Sequence, residues 1–239
     1  MSKKESFWIP YADLMTVLMV IFLFISLAYM GLVQVQKKQQ DEIFEEYRQT
    51  KEAIYTELDS TFKDDFKKWN VGLDKDLSIK FNNPQVLFDV GSDYVKDSFK
   101  IILSNFIPKY LSIVMQPKYK DKIGEIRIEG HTDTKPINKT DDPYIDNVIL
   151  SQNRSLQVLR FFRKLPCFVA LSKEDKTMLQ FWLTANGLSY GRTLDNNSQF
   201  TFTSKNPPNE ELSRRVEFRI VTTSEKLVDK VLQQMKKIE

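Results

Sequence analysis

Hydrophobic and polar positions divide this chain into three regimes. Leu14 to Val33 contains no charged residue, and about 20 apolar residues are enough to cross a bilayer as a helix. Trp8 and Tyr11 stand at its N-terminal edge, where amphipathic rings settle at the headgroup level. Pro10 suits a first helical turn, because its missing N–H would have no intrahelical partner there. From Gln34 to Trp69 the chain is charged and contains neither Gly nor Pro. Apolar residues recur there at Ile43, Tyr47, Ile54, Leu58, Phe62, Phe66 and Trp69. That near-helical spacing predicts a helix with a narrow apolar seam leaving the membrane. The seam has two uses: pairing with a second copy, or packing on the chain's own domain.

Beyond Trp69 the pattern becomes that of a compact α/β domain. Leu77 to Phe81 alternates as a strand does. Asn82-Asn83-Pro84 breaks it, and Val86 to Phe88 resumes it before Gly91. Val95 to Val114 has helical spacing, in which Pro108 is expected to kink or interrupt the helix. Ile126 to Gly130 is a second alternating strand, followed by a polar loop from Asp133 to about Asp146. Leu150 to Leu165 predicts a helix stopped by Pro166, and Phe181 to Thr184 a short strand. Thr193 to Asn209, with Pro207-Pro208, reads as a long loop. Val216 to Val221 alternates as a last strand, and Val228 to Ile238 predicts a short basic terminal helix.

Composition narrows the chemistry. With 239 residues, one or two domains are expected besides the span. The formal net charge is +3, from 35 basic and 32 acidic residues, a balance that creates no field for nucleic acid. Cys167 is the one cysteine, so no internal disulfide forms. One histidine and one cysteine do not build a His/Cys zinc site. No nucleophile triad, phosphate loop or catalytic carboxylate pair stands out, so neither an enzyme nor a bound cofactor is expected. The span is too long for a signal-peptide core and has no small-residue cleavage site after it, which predicts an uncleaved anchor. Lys3 and Lys4 before it are nearly balanced by Lys37 and Lys38 after it, so charge alone does not orient it.

Asp13 is the one acid at the threshold of the span. Position alone leaves two readings. An acid in a first turn is favoured by the helix dipole, and an acid facing hydrocarbon is costly enough to mark a functional site. Its neighbours bear on the choice. Tyr11-Ala12-Asp13-Leu14-Met15-Thr16 resembles the YADxMT signature of the B subunits of ion-driven stators, the MotB-like family, over Phe7 to roughly Leu27. The resemblance implies that Asp13 carries the translocated H+ or Na+. Thr16, one turn on, either faces the same path or hydrogen-bonds its own backbone. Phe-Trp-Ile ahead of YADLMT is similar to the B subunits of Zorya anti-phage systems. The absence of proline between Pro10 and Pro84 departs from the plug segment usual in flagellar B subunits.

Three later pieces resemble the OmpA-like peptidoglycan-binding domain, over about Leu77 to Val221. They are Gly130-His131-Thr132-Asp133 after a strand, Asn147 to Arg154 opening a helix, and Ser213-Arg214-Arg215-Val216-Glu217 leading into the last strand. Val86 to Ser92 matches that domain's first strand region. The resemblance implies a pocket in which Asp133 and Arg154 address the ammonium and carboxylate groups of diaminopimelate. Thr132, Asn147 and Leu150 would shape it, and Arg214 and Arg215 would form a basic rim. An acid and an arginine held together suit that zwitterion, the guanidinium through paired hydrogen bonds. An Asp133–Arg154 ion pair joining strand to helix is the structural alternative. His131 is expected to be a hydrogen-bonded loop histidine. The loop before Asn147 is longer than usual, and Ser213 stands where Asn is usual.

The expected fold is therefore α+β: a single transmembrane helix, an extended helical linker and an OmpA-like α/β sandwich. The expected divisions are a cytoplasmic tail at 1–9, the transmembrane helix at 10–35, the helical linker at 36–70 and a periplasmic wall-binding domain at 71–239. The resemblance implies a single-pass inner-membrane stator subunit, present twice inside a ring of five multi-span subunits of the MotA or ZorA kind, with peptidoglycan as its anchor. A Zorya-type defence motor, a flagellar stator and a static envelope tether are the readings to be separated.

Overall fold

The computed structural model describes residues 8–137, 140–225, 227, 228 and 231. Residues 1–7 of the expected tail and most of the expected terminal helix lie outside them, while Trp8 and Ile9, expected in the tail, belong to the first helix. Helix α1 runs without a break from Trp8 to Trp69 over 62 residues, about 93 Å at the helical rise of 1.5 Å per residue. Anchor and linker are one continuous helix, with no break between 35 and 36. Large apolar side chains from Leu14 to Val35 are exposed all round it. A helix apolar on every face needs lipid or protein around it.

The seam ends differently. Ile54, Leu58 and Phe62 are fully buried and Phe66 nearly so. Phe62 meets Phe106 with ring centroids 5.2 Å apart and stacks on Phe66 at 5.0 Å. From Ile54 onward, then, the seam packs on the chain's own domain. The division expected at residue 70 cuts through this core. Lys109–Asp65 and Lys118–Glu57 ion pairs flank the contact, but exposed pairs of this kind contribute little.

After α1 come β1 (Val71–Leu73), β2 (Ser78–Phe81), α2 (Pro84–Leu87), α3 (Asp97–Val114), α4 (Pro117–Lys120) and β3 (Ile123–Gly130). Then follow α5 (Pro143–Lys164), α6 (Pro166–Val169), α7 (Lys173–Trp182), β4 (Leu183–Gly187), α8 (Thr201–Ser204), α9 (Glu210–Ser213) and β5 (Val216–Thr222). The sheet order is β1-β2-β5-β3-β4, antiparallel except for the parallel β3–β4 pair. Alternation gives the sheet one apolar face. Phe81, Phe218 and Phe106 interlock at centroid distances of 5.1–5.9 Å, with Ile79, Ile126, Ile128 and Ile220 buried beside them. Helices on one face of a mainly antiparallel sheet make the expected α+β class.

Several local expectations are corrected. Val86 and Leu87 lie in the one-turn helix α2, and Phe88 only bridges to Val95. Pro108 sits inside an uninterrupted α3. Phe106, Ile107, Tyr110 and Leu111 are buried around it, and that packing outweighs the lost hydrogen bond. Helix α5 begins at Pro143, earlier than its periodicity indicates. The Asp142 carboxylate accepts from the amides of Tyr144 and Ile145 and caps it. Phe181 and Trp182 end helix α7 instead of starting a strand. The long 193–209 loop contains α8 and is pinned by Asp195, whose carboxylate accepts from the amides of Asn197 and Gln199 and the side chain of Asn206.

One approach positions the rest. At Gly130 a Cβ would lie 2.2 Å from the Ser151 carbonyl oxygen, and at its β4 partner Gly187 2.4 Å from the Gln152 nitrogen. Without side chains there, α5 settles directly on β3 and β4. Gln152 secures the contact, accepting from the Gly187 amide at 2.7 Å and donating to the Ala185 carbonyl at 2.9 Å.

Candidate functional site

The three motifs meet at one end of the sheet. Strand β3 delivers His131, Thr132 and Asp133; α5 brings Asn147, Leu150 and Arg154; the turn between α9 and β5 brings Arg214 and Arg215. A cavity of about 380 Å³ opens beside them, lined by Leu87, Phe88, Val90, Lys96, Arg154 and Arg214 among others.

Asp133 pairs with Arg214, Oδ2 to Nη1 at 2.5 Å, and its Oδ1 accepts from the Lys135 amide at 3.3 Å. The alternative Asp133–Arg154 pair is therefore replaced by an Asp133–Arg214 pair. Arg154 is 6% exposed and, among the described residues, hydrogen-bonds main chain only: Nε donates to Ser92 O at 2.9 Å and Nη2 to Asp89 O at 3.2 Å. Its guanidinium carbon lies 4.9 Å from the centroid of the Phe88 ring. Burial pulls its pKa down to about 10, opposed by the nearby Asp133 charge, so it remains a cation at neutral pH. Among the described residues, no carboxylate forms an ion pair with it.

Asn147 is buried and its Nδ2 donates to Lys135 O and Pro143 O, tying the loop after Asp133 to the start of α5. Leu150 is buried. Thr132 is buried with its amide on Ser189 O, and its hydroxyl has no protein partner among the described residues. Ser213 fills the position where Asn was usual: its hydroxyl accepts from the Leu194 amide at 3.0 Å and donates to Asn209 O at 2.7 Å, fastening the 193–209 loop.

Arg215 is not the rim residue expected. It is 2% exposed, with Nε on Glu217 Oε1 at 2.5 Å and Nη1 on Ser213 O at 3.3 Å. Both arginines touch the cavity, but Asp133 holds Arg214 at its edge while Glu217 and the Ser213 carbonyl hold Arg215 inward. His131 also differs from expectation. Among the described residues neither ring nitrogen has a hydrogen-bond partner, though Nε2 lies 3.5 Å from Glu217 and 3.8 Å from Glu129. Burial first, then the Arg215 charge, lowers its pKa to about 3, so it is neutral at ordinary pH.

Glu129, His131 and Glu217 bring ligand-type atoms within 4.8 Å of one another. Arg215 already engages Glu217, and Arg192 approaches Glu129 at 3.7 Å. Cations thus already balance the two carboxylates, and of the trio His131 alone lines the cavity. At the other end of the chain, Asp13 is exposed on α1. Thr16 donates to the Ala12 carbonyl at 2.8 Å, the backbone alternative of its two readings.

Residues with no role assigned from sequence complete the site: Phe88, Asp89 and Lys96 line the cavity, and the Asp89 and Ser92 carbonyls hold Arg154. The match of Val86 to Ser92 to a first strand region was the available signal. Main-chain carbonyl partners leave no trace in residue identity.

No protein-family model matches the chain. It is 35% identical over 230 residues to the Zorya protein ZorB of Escherichia coli strain ATCC 8739, covering 95% of this chain and 92% of that one. A second Zorya protein ZorB, from Escherichia coli O139:H28, is 28% identical over 219 residues, 91% of this chain and 80% of that one. Among solved structures, a MotB-like protein from Desulfovibrio vulgaris aligns at TM-score 0.47 and 22% identity, covering 77% of this chain and 98% of that one. The periplasmic domain of Helicobacter pylori MotB aligns at 0.40 and 19%, covering 67% and 84%.

Proposed function

Because the chain belongs to the ZorB family, we propose that it is the B-type subunit of a Zorya anti-phage motor. It is driven by ion flow, with protons as the proposed ion, and is anchored to peptidoglycan. The observation that carries the wall-binding part is Arg154. A deeply buried guanidinium without a carboxylate partner among the described residues is costly, and a ligand carboxylate entering the adjacent cavity would offset that cost. Asp133 beside it supplies the acid for an ammonium group, which together suit the zwitterionic end of diaminopimelate.

The uninterrupted α1 supports the mechanical part. Residues 34–53 extend the helix by about 30 Å between the apolar span and the buried seam, so one rod joins Asp13 to the wall domain. Binding the domain to peptidoglycan makes that side periplasmic and residues 1–9 cytoplasmic. One helix encloses no ion path, so Asp13 needs a partner that covers it. A ring of five multi-span ZorA-like subunits around two copies of this chain is the arrangement proposed. Protonation neutralises Asp13 and release restores its charge, and this alternation drives rotation of the ring. Its role is transport and anchoring, with no catalytic step assigned. Thr16, bonded to its own backbone, is given no transport role.

The test is co-sedimentation of the full chain with sacculi, with thermal melts of each variant. Arg154→Ala and Asp133→Ala should each weaken binding about tenfold or more, the loss expected for a charge-assisted contact. Two folded variants that sediment like the parent would rule out this cavity as the wall site.

A further inference from the structure

The segment from Phe88 to Val95 is built around one side chain. Phe88 and Val95 form an isolated antiparallel bridge, and Gly91, at φ 69°, takes the backbone through the left-handed region between them. The Ser92 amide donates to Asp89 O at 3.1 Å and the Lys96 amide to Leu87 O at 3.1 Å. Lys96 Nζ pairs with the Asp89 carboxylate at 2.9 Å. Both carbonyls that Arg154 contacts, those of Asp89 and Ser92, belong to this turn. The Phe88 ring covers one face of the guanidinium.

These contacts use the guanidinium unequally. The turn takes Nε and one N–H of Nη2, which together form the side edge. Among the described residues, Nη1 makes no hydrogen bond. The end edge, one N–H from each terminal nitrogen, is therefore unspent, and two parallel N–H groups match the two oxygens of a carboxylate. We propose that the 88–95 turn is a positioning device for Arg154. It fixes the guanidinium so that only the end edge is offered to a ligand carboxylate, with Phe88 and Gly91 as positioning residues. The inference rests on the reading of this cavity as the wall-ligand site. Fixing a long side chain before binding removes the entropy cost of ordering it in the complex. It also ties affinity to a ligand group with two acceptor oxygens. A carboxamide has only one, so amidated diaminopimelate should be discriminated against.

The test uses the full chain in detergent with two probes: the diaminopimelate-containing muropeptide tripeptide, and the same molecule amidated on diaminopimelate. Gly91 lies outside the cavity lining and a Cβ there meets nothing within 4 Å, so substitutions act through the backbone angle. Asn tolerates the left-handed region and Val does not. Gly91→Asn should bind like the parent. Gly91→Val and Phe88→Leu should weaken the acid probe by about fivefold or more, as for loss of a cation–π contact or of preorganisation. The same two variants should shrink the preference over the amide, which a merely destabilised fold would not do. If Phe88→Leu fails to fold, the Gly91 pair decides. Should Gly91→Val keep parental affinity and preference while Arg154→Ala loses binding, the positioning role is overturned and the cavity remains the site. The positioning role is equally overturned if Gly91→Asn binds as weakly as Gly91→Val. If Arg154→Ala itself binds normally, the cavity is not the ligand site and the inference falls with that reading.

Discussion

Cutting the chain at the start of its folded domain depends on where that domain begins. The motifs begin near Leu77, and a fragment 77–239 would keep all of them. It would also remove Ile54, Leu58, Phe62 and Phe66, which are 0%, 0%, 0% and 7% exposed. Full burial of each such side chain contributes about 1.5–3 kcal/mol, so together they supply about 6–12 kcal/mol. A whole domain has a net stability of only about 5–15 kcal/mol. The cut also removes β1, which leaves β2 as an open edge, and uncovers Phe106 beneath Phe62. A fragment 77–239 should therefore aggregate or melt without cooperativity. A fragment 41–239, which keeps the seam and leaves out the apolar span, should be soluble and melt in one transition. Size-exclusion chromatography and circular dichroism melts of the two compare them directly. A monomeric 77–239 fragment melting within about 3 °C of 41–239, a difference that corresponds to only about 1 kcal/mol in domains of this size, would refute the view that the seam belongs to the core.

Gly187→Ala should destabilise the protein by about 1–3 kcal/mol or more and weaken sacculus binding, because α5 must retreat by about 1 Å to admit the methyl group. Urea titration should show that loss and find Gly72→Ala, whose Cβ would meet nothing closer than 3.7 Å, silent. Burial holds His131 neutral down to about pH 3, whereas an unfolded histidine takes up a proton near pH 6.5. Its contribution is thus complete above pH 6.5 and lost as pH falls toward 3, at up to about 1.4 kcal/mol per pH unit. Stability measured against pH should show a shallower acid slope in His131→Gln, and an unchanged slope would contradict the assignment. Asp13→Asn should leave membrane abundance unchanged and abolish phage protection. Full protection at normal abundance would remove Asp13 as the ion carrier.

What the sequence determined by itself was local. An apolar run long enough for a bilayer, Leu14 to Val33, needs no distant residue to be recognised, because hydrocarbon thickness sets its length. The strands β2, β3 and β5 were legible for a related reason: one face is apolar, so alternation marks the side that meets the core, although Ser78, Lys80 and Glu217 on the other side are buried as well. The motifs likewise located Asp133 and Arg214, which flank strand ends, and Arg154, which lies midway along α5. Tertiary structure decided everything that depended on a partner far along the chain. Phe181 and Trp182 form a short apolar run that suits helix or strand equally, and the Ser172 cap with Leu179 and Trp182 buried on one side makes it the end of α7. Pro108 stays helical because the packing of neighbours on both sides outweighs its local penalty. The seam from Ile54 to Phe66 could serve a second copy or this domain, and only the aromatic contacts across α3 chose between them. Arg214 and Arg215 are chemically alike and adjacent; their distant partners separate them, Asp133 holding one at the cavity edge and Glu217 burying the other. Arg154 was legible as a charge, but its orientation was not, because main-chain carbonyls 62 and 65 residues away hold it, and any residue carries a carbonyl.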